Sequence, residues 1–108
     1  MNDPAASFWL DAGAEADLVS IIEYTAAEWG EDQARDYAGQ LRKYMTRLAS
    51  GTAKPRKLDD IRAGLLSCRC RHHFIFALPV PGEPMRVIAI LHERMDVVSR
   101  LVNRLEAL

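Results

Sequence analysis

The feature that most constrains this chain is a change of hydrophobic period near its middle. Between Ala14 and Ala49 apolar residues recur every three or four positions, the spacing that gathers them on one face of an α-helix. Ala14, Leu18, Ile21, Ile22, Thr25 and Trp29 make a first stripe, and Ala34, Tyr37, Ala38, Leu41, Tyr44, Met45 and Leu48 a second. Gly30 lies between them, where a glycine stops a helix because it tolerates the left-handed backbone that side chains resist. Glu31 and Asp32 then place negative charge in the first turn of the next helix, where the dipole favours it. The spacing predicts helices over 14–29 and 31–49, joined too closely to be anything but an antiparallel hairpin.

From residue 65 the period falls to two. Leu66, Cys68 and Cys70 fall on one face, and Leu65, Ser67, Arg69 and Arg71 on the other. Residues 73–78 (HFIFAL) and 85–91 (MRVIAIL) are further β-prone runs, and the second is apolar on both faces, as a central strand is. The prolines of PVPGEP, residues 79–84, cannot donate to a ladder, so this segment turns. Residues 5–10 (AASFWL) predict a short N-terminal strand, and residues 50–60 a loop. Asp96 predicts the cap of a last helix with Val98, Leu101, Val102 and Leu105 inward. The order β-α-α-β-β-β-α predicts one α+β domain over 1–108, a sheet covered by a helical hairpin.

Charge and composition narrow the function classes. The chain has 108 residues, 49% hydrophobic and 27% charged, with net charge −1, which is the make-up of a single globular domain. The whole-chain balance predicts no direct DNA binding. The halves differ, however: residues 1–53 hold 4 basic and 9 acidic side chains, residues 54–108 hold 10 and 6. A basic C-terminal half can face an anionic partner even so. No apolar run approaches the roughly 18 residues of a membrane span, and the N-terminus lacks a signal-peptide pattern, so a cytoplasmic location is expected, with Cys68 and Cys70 reduced.

Three constellations could carry chemistry. Cys68-x-Cys70-x-His72-His73 offers soft ligands, but two cysteines on one strand face stand about 6.5–7 Å apart, too wide for the sulfurs of one zinc ion. Two small buried side chains are the expectation there, with no metal and no cofactor. His72, His73, His92 and Glu93, with neighbouring arginines, could supply the base, acid and cation that RNA cleavage needs. Sequence alone leaves their convergence open. Arg56, Arg62, Arg69, Arg71, Arg86, Arg94, Arg100 and Arg104 suit forked contacts to carboxylate or phosphate, or else form a solvated face. No phosphate loop, nucleophile elbow or pair of hydrolytic carboxylates is present, which favours a binding protein over an enzyme.

Several strings together resemble one family. Tyr24-Thr25-Ala26-Ala27-Glu28-Trp29-Gly30-x-x-Gln33-Ala34-x-x-Tyr37-x-x-x-Leu41 resembles the helical hairpin of ParE-type toxins. Ile61-Arg62-x-Gly64-Leu65 and His73-x-Ile75-Phe76 are similar to the start and middle of their sheet. Ile90-Leu91-His92-x-Arg94-Met95-Asp96 resembles the end of their last strand. Ala77 and Leu78 depart from the pattern, where the family carries Tyr and a basic residue. The resemblance spans about residues 17–101. It implies the RelE/ParE fold and the toxin half of a type II toxin–antitoxin pair, neutralised by a ParD-like antitoxin and inhibiting DNA gyrase. A RelE-like ribosome-dependent endoribonuclease and a non-toxic member acting in a repressor complex are the alternatives. On this reading His92, Arg94, Met95, Arg100 and Arg104 are expected at the toxic surface, the arginines as one basic ridge. Trp29, Tyr37, Leu41, Tyr44, Met45, Arg69 and Arg71 are expected to meet the antitoxin.

Overall fold

The helical spacing and the β alternation both materialise in the computed structural model, which describes residues 7–108. Strand β1 (Phe8–Leu10) is followed by helices α1 (Ala12–Trp29) and α2 (Glu31–Ser50), then by strands β2 (Arg56–Lys57), β3 (Leu66–Cys70), β4 (His73–Leu78) and β5 (Met85–His92), and by helix α3 (Val97–Glu106). The predicted first strand began at Ala5; residues 5 and 6 lie outside the described residues. Among the described residues no helix is long and apolar enough to cross a membrane.

The five strands form one sheet in the order β1-β5-β4-β3-β2. β1 runs parallel to β5, and every other pair is antiparallel. β2 was expected to be loop. Two residues of it pair with Ser67 and Leu66 and make a short charged edge, which shields a sheet from unwanted pairing. β5 is flanked on both sides, as its unbroken apolar run predicted.

Both faces of the sheet are covered. The hairpin packs Ala14, Leu41, Met45 and Leu48 against Cys70, Ile75, Ala77, Val87 and Ile90. Helix α3 packs Leu101, with Val97 and Leu105, against Leu65, Phe76, Ile88, Ala89 and Leu91. Each large side chain fully buried in these layers contributes about 1.5–3 kcal/mol. A bulge organises the two sets. Phe76 pairs with Ala89 and Ala77 with Val87, leaving Ile88 as an extra residue. Strict alternation would put Ile88 and Ala89 on opposite faces; the bulge turns both toward α3. The inward face of the last helix differs from the predicted one: Val98 and Val102 are exposed, and Val97 takes the inner place with Leu101 and Leu105.

Helix ends follow local chemistry. Gly30 (φ 94°) closes α1, its amide donating to the Ala26 carbonyl, and its own carbonyl accepts from the Ala34 amide. α1 starts two residues before the predicted boundary, because Asp11 caps it: its Oδ1 accepts from the Ala14 amide at 3.0 Å. The other oxygen meets Arg86 Nε at 3.3 Å.

One ion pair joins the layers. Arg104 of α3 donates through Nη1 to Asp17 Oδ2 (2.9 Å) and to the Ile88 carbonyl (2.8 Å), and through Nη2 to Asp17 Oδ1 (3.0 Å). Asp17 Oδ2 also accepts from the Ile90 amide at 2.9 Å. β1 pairs with β5 only as far as Val87, so Ile88 and Ile90 present backbone groups beyond its reach. Gly13 lies beneath the arginine: a Cβ there would stand 2.6 Å from Arg104 Nη1 and 2.9 Å from its Cδ.

Two stability changes follow. Arg104→Ala leaves the Asp17 carboxylate and the Ile88 carbonyl without their partner, and should cost about 3 kcal/mol in urea unfolding, while Arg100→Ala on the exposed side should stay within about 0.5 kcal/mol. Gly13→Ala, which by helix propensity alone would gain about 1 kcal/mol, should destabilise instead, because three hydrogen bonds hold the arginine it displaces. A stabilised Gly13→Ala protein would show that the arginine can move.

Candidate functional site

Two regions concentrate what the fold leaves accessible. The first is the end of the sheet where the β3–β4 turn meets the exit of β5. Cys70 and His73 are paired residues, so Arg71 and His72 alone form the turn. Arg71 takes the left-handed conformation (φ 53°), a costly one for a residue with a Cβ. Its Nε donates to Gln40 Oε1 at 2.9 Å, and its carbonyl accepts from Arg69 Nε at 2.8 Å.

This turn brings three histidines together, the convergence that sequence left open. Tyr37 of α2 donates its hydroxyl proton to the Cys70 carbonyl at 3.1 Å. Its oxygen then accepts from His73 Nδ1 at 2.6 Å, which places the His73 proton on Nδ1. The His73 ring stands edge-on to His92 at 5.0 Å, and His92 stacks on His72 at 6.1 Å. His92 Nδ1 accepts from the Arg94 amide at 3.0 Å. His72 Nδ1 meets Glu93 Oε1 at 2.7 Å, and Arg69 pairs with the other Glu93 oxygen. Burial pushes His73 down to about 4 and Tyr37 up to about 12. The His72 hydrogen bond, with Arg69 and His92 near it, holds the Glu93 carboxyl below the usual carboxylate value. His73 is thus neutral at pH 7 and acts as a latch between hairpin and sheet. Glu93 is held in its ionised form between His72 and Arg69.

The residues expected at the toxic surface separate into two groups. Arg94 and Arg100 are exposed and, among the described residues, carry no ion pair. Met95 is 42% exposed. Asp96 caps α3, accepting from the Ser99 amide at 3.3 Å. Arg104 leaves the predicted basic ridge: it is bound inward to Asp17.

The residues expected to meet the antitoxin do not form one surface. Leu41 and Met45 belong to the core between hairpin and sheet. Trp29 is 72% exposed at the hairpin tip, and Ile22 is also turned outward from the sheet. Tyr37 is engaged by His73, and Tyr44 is half-buried beneath Arg47, whose Cζ lies 5.8 Å from the ring centroid. Arg69 and Arg71 are held by Glu93 and Gln40.

The second region is an open apolar cleft on the other flank of α2. Phe8, Trp9 and Leu10 of β1, Leu18, Val19 and Ile22 of α1, and Ala38, Arg42 and Met45 of α2 line it. Trp9, Val19 and Ile22 are exposed in it. Arg86 lies over the Trp9 ring at 5.4 Å. Among the described residues no strand pairs with the outer edge of β1. Val19 and Ile22 were legible as apolar positions one turn apart. Which side of α1 the sheet would leave uncovered was not.

Cys68 and Cys70 both face the hairpin side, with Cys70 fully buried. Burial raises both thiols, Cys68 to about 11. Among the described residues no three His, Cys, Asp or Glu side chains are placed to hold a metal ion.

Cys70→Ser should cost about 1–3 kcal/mol by burying a hydroxyl, more than Cys68→Ser, and metal content measured by mass spectrometry should stay unchanged in the double variant. Zinc lost with both cysteines would overturn that. For His73 the folded value lies below the unfolded one near 6.5. Between these values the unfolded chain binds more protons, so stability is lost as pH falls from about 6.5 toward about 4. His73→Gln should flatten that slope in urea titrations at successive pH values.

Residues 10–97 match the family model described as "ParE toxin of type II toxin-antitoxin system, parDE". Toxin ParE of Escherichia coli is 46% identical over 100 residues, covering 93% of this chain and 97% of that protein. Toxin ParE1 of Mycobacterium tuberculosis is 31% identical over 97 residues, covering 90% and 99%. A chain of the solved chromosomal ParDE TA system from P. aeruginosa superposes with a TM-score of 0.65 at 16% identity, covering 80% of this chain and 94% of that one, which is a likeness of fold. The hairpin, the sheet with its short parallel β1 and the match over most of both sequences lead to one conclusion: the chain belongs to the ParE toxin family of type II toxin–antitoxin systems.

Proposed function

We propose that this ParE-family chain blocks growth by inhibiting DNA gyrase without itself catalysing a reaction, and that a ParD-like antitoxin neutralises it in the cytoplasm. The apolar cleft between β1, α1 and α2 is the observation that carries the antitoxin half of this reading. Trp9, Val19 and Ile22 stay exposed there, and such a patch usually marks an interaction site. An amphipathic helix fits a cleft of this kind. Of the two charged side chains in its lining, Arg42 suits an acidic side chain of a segment that folds on binding and Glu15 a basic one.

The target half rests on the family resemblance and on the surface beyond β5. His92 is positioned by its neighbours, and Arg94, Met95 and Arg100 present side chains to solvent. These four make the toxic surface in this reading. Arg104 belongs to the scaffold and not to that surface. The histidine end favours a second reading, ribosome-dependent RNA cleavage, because His72 and His92 stand beside each other with Arg94 adjacent.

Purified protein should inhibit supercoiling of relaxed plasmid by gyrase and leave translated mRNA intact. Cleavage of mRNA that is lost in His72→Ala and His92→Ala, with no effect on gyrase, would replace the first reading by the second. Val19→Glu with Ile22→Glu should weaken antitoxin binding at least about tenfold, the loss expected from about 1.4 kcal/mol, while growth inhibition persists. Arg94→Ala with Arg100→Ala should do the reverse. Equal antitoxin affinity in the Val19 and Ile22 variant would place the antitoxin elsewhere.

A further inference from the structure

The stretch from Lys43 to Lys57 carries five cations (Lys43, Arg47, Lys54, Arg56 and Lys57) and no carboxylate. The fold gathers these side chains at one border of the molecule. Lys43 and Arg47 stand one turn apart on α2, so they share a face. Arg47 and Lys54 rim an open cleft floored by Tyr44, Ala53 and Cys68. Lys57 pairs with Leu66, whose side chain packs on the hairpin side, and Arg56 pairs with Ser67 and points to the other face around the sheet edge. All five residues are exposed, and among the described residues none has an ion-pair partner. Arg69, Arg86 and Arg104, by contrast, are answered by Glu93, Asp11 and Asp17, and the other open arginines, such as Arg94 and Arg100, do not form a continuous run with this stretch. Net charge −1 therefore hides a cationic border.

We infer that this border binds the sugar–phosphate backbone of double-stranded DNA. An unpaired row of cations fits a polyanion, since each contact releases condensed counterions. An acidic protein is a poorer match. Protein interfaces are anchored by aromatic or aliphatic side chains that the partner buries, and the apolar residues of the border cleft, Tyr44, Ala53 and Cys68, are already half-buried within the fold. β2 is only two residues long, too short to template an added strand. Single strands are gripped by stacking on open aromatic rings, and Tyr44 is half-buried under Arg47. DNA rather than duplex RNA rests on the reading of gyrase as the target, an enzyme that holds DNA; the cationic border itself does not depend on that reading.

The test is fluorescence anisotropy of a labelled DNA duplex of about 20 base pairs with the purified chain, from about 50 to about 200 mM salt. Contact with about four phosphates predicts a slope of log K against log salt of about −3.6. Arg47→Glu and Lys54→Glu should each weaken binding about tenfold, while Arg35→Glu at the hairpin tip should change it less than about twofold, with thermal melts confirming folding. A duplex RNA of the same length and a polyglutamate peptide complete the comparison. Absence of DNA binding at the lowest salt, tighter binding of RNA or of polyglutamate, or an equal loss in Arg35→Glu overturns the inference. Gyrase supercoiling is measured separately. DNA binding that persists without gyrase inhibition keeps the border and removes the target; inhibition without DNA binding does the opposite.

Discussion

The contact between Asp17 and Arg104 is the joint on which the three layers depend. β1 is too short to cover β5, and a central strand stripped of a neighbour exposes amides and carbonyls that must be satisfied. Asp17 reaches from the hairpin side to the Ile90 amide, and Arg104 reaches from α3 to the Ile88 carbonyl. Their mutual fork ties the helices on opposite faces around the sheet edge. The geometry also dictates a glycine at position 13, where the arginine lies against the helix backbone. A charge pair in such a place serves the fold, even though it belongs to a family whose basic residues invite functional readings.

The end of the sheet where the β3–β4 turn meets the exit of β5 is organised by Tyr37. Its hydroxyl accepts from His73 and donates to the Cys70 carbonyl, so α2 is pinned to the β3–β4 turn. With α2 fixed there, its two flanks become different surfaces. One flank, with α1 and β1, leaves an apolar cleft. The other, with the segment leading into β2, carries unanswered cations. An apolar cleft and a cationic border attract different chemistry, so one helix can serve two partners without their competing for the same side chains. His92 ends β5, and Arg94 and Arg100 follow it; none of the three lines either surface.

Much of this architecture was legible in the chain. The change from a period near 3.6 to a period of two fixes helices before strands, because burial on one face demands those spacings whatever the tertiary context. Gly30 and Asp96 marked boundaries through local chemistry alone, and the apolar run of β5 announced a strand covered on both sides. The spacing of Cys68 and Cys70 put both on one strand face, and both do face the hairpin side. The strings from Tyr24 to Leu41 and from Ile90 to Asp96 carried the family.

Tertiary structure decided everything that depends on which neighbour a side chain meets. A bulge at Ile88 cannot be read from an apolar run, yet it turns Ile88 and Ala89 to the same face; nor does the apolar pattern of α3 show that Val98 and Val102 stay exposed. Leu41 and Met45 look like any apolar residues on a stripe; only packing places them in the core and leaves Val19, Ile22 and Trp9 outside. Arg94, Arg100 and Arg104 are the same chemical group, and the partner Asp17, 87 residues away, makes one of them structural. Sequence determines periodicity, caps and covalent reach because these act between near neighbours along the chain. Exposure, pairing and the identity of a functional surface are set by contacts between segments far apart in it, and those exist only once the chain has folded.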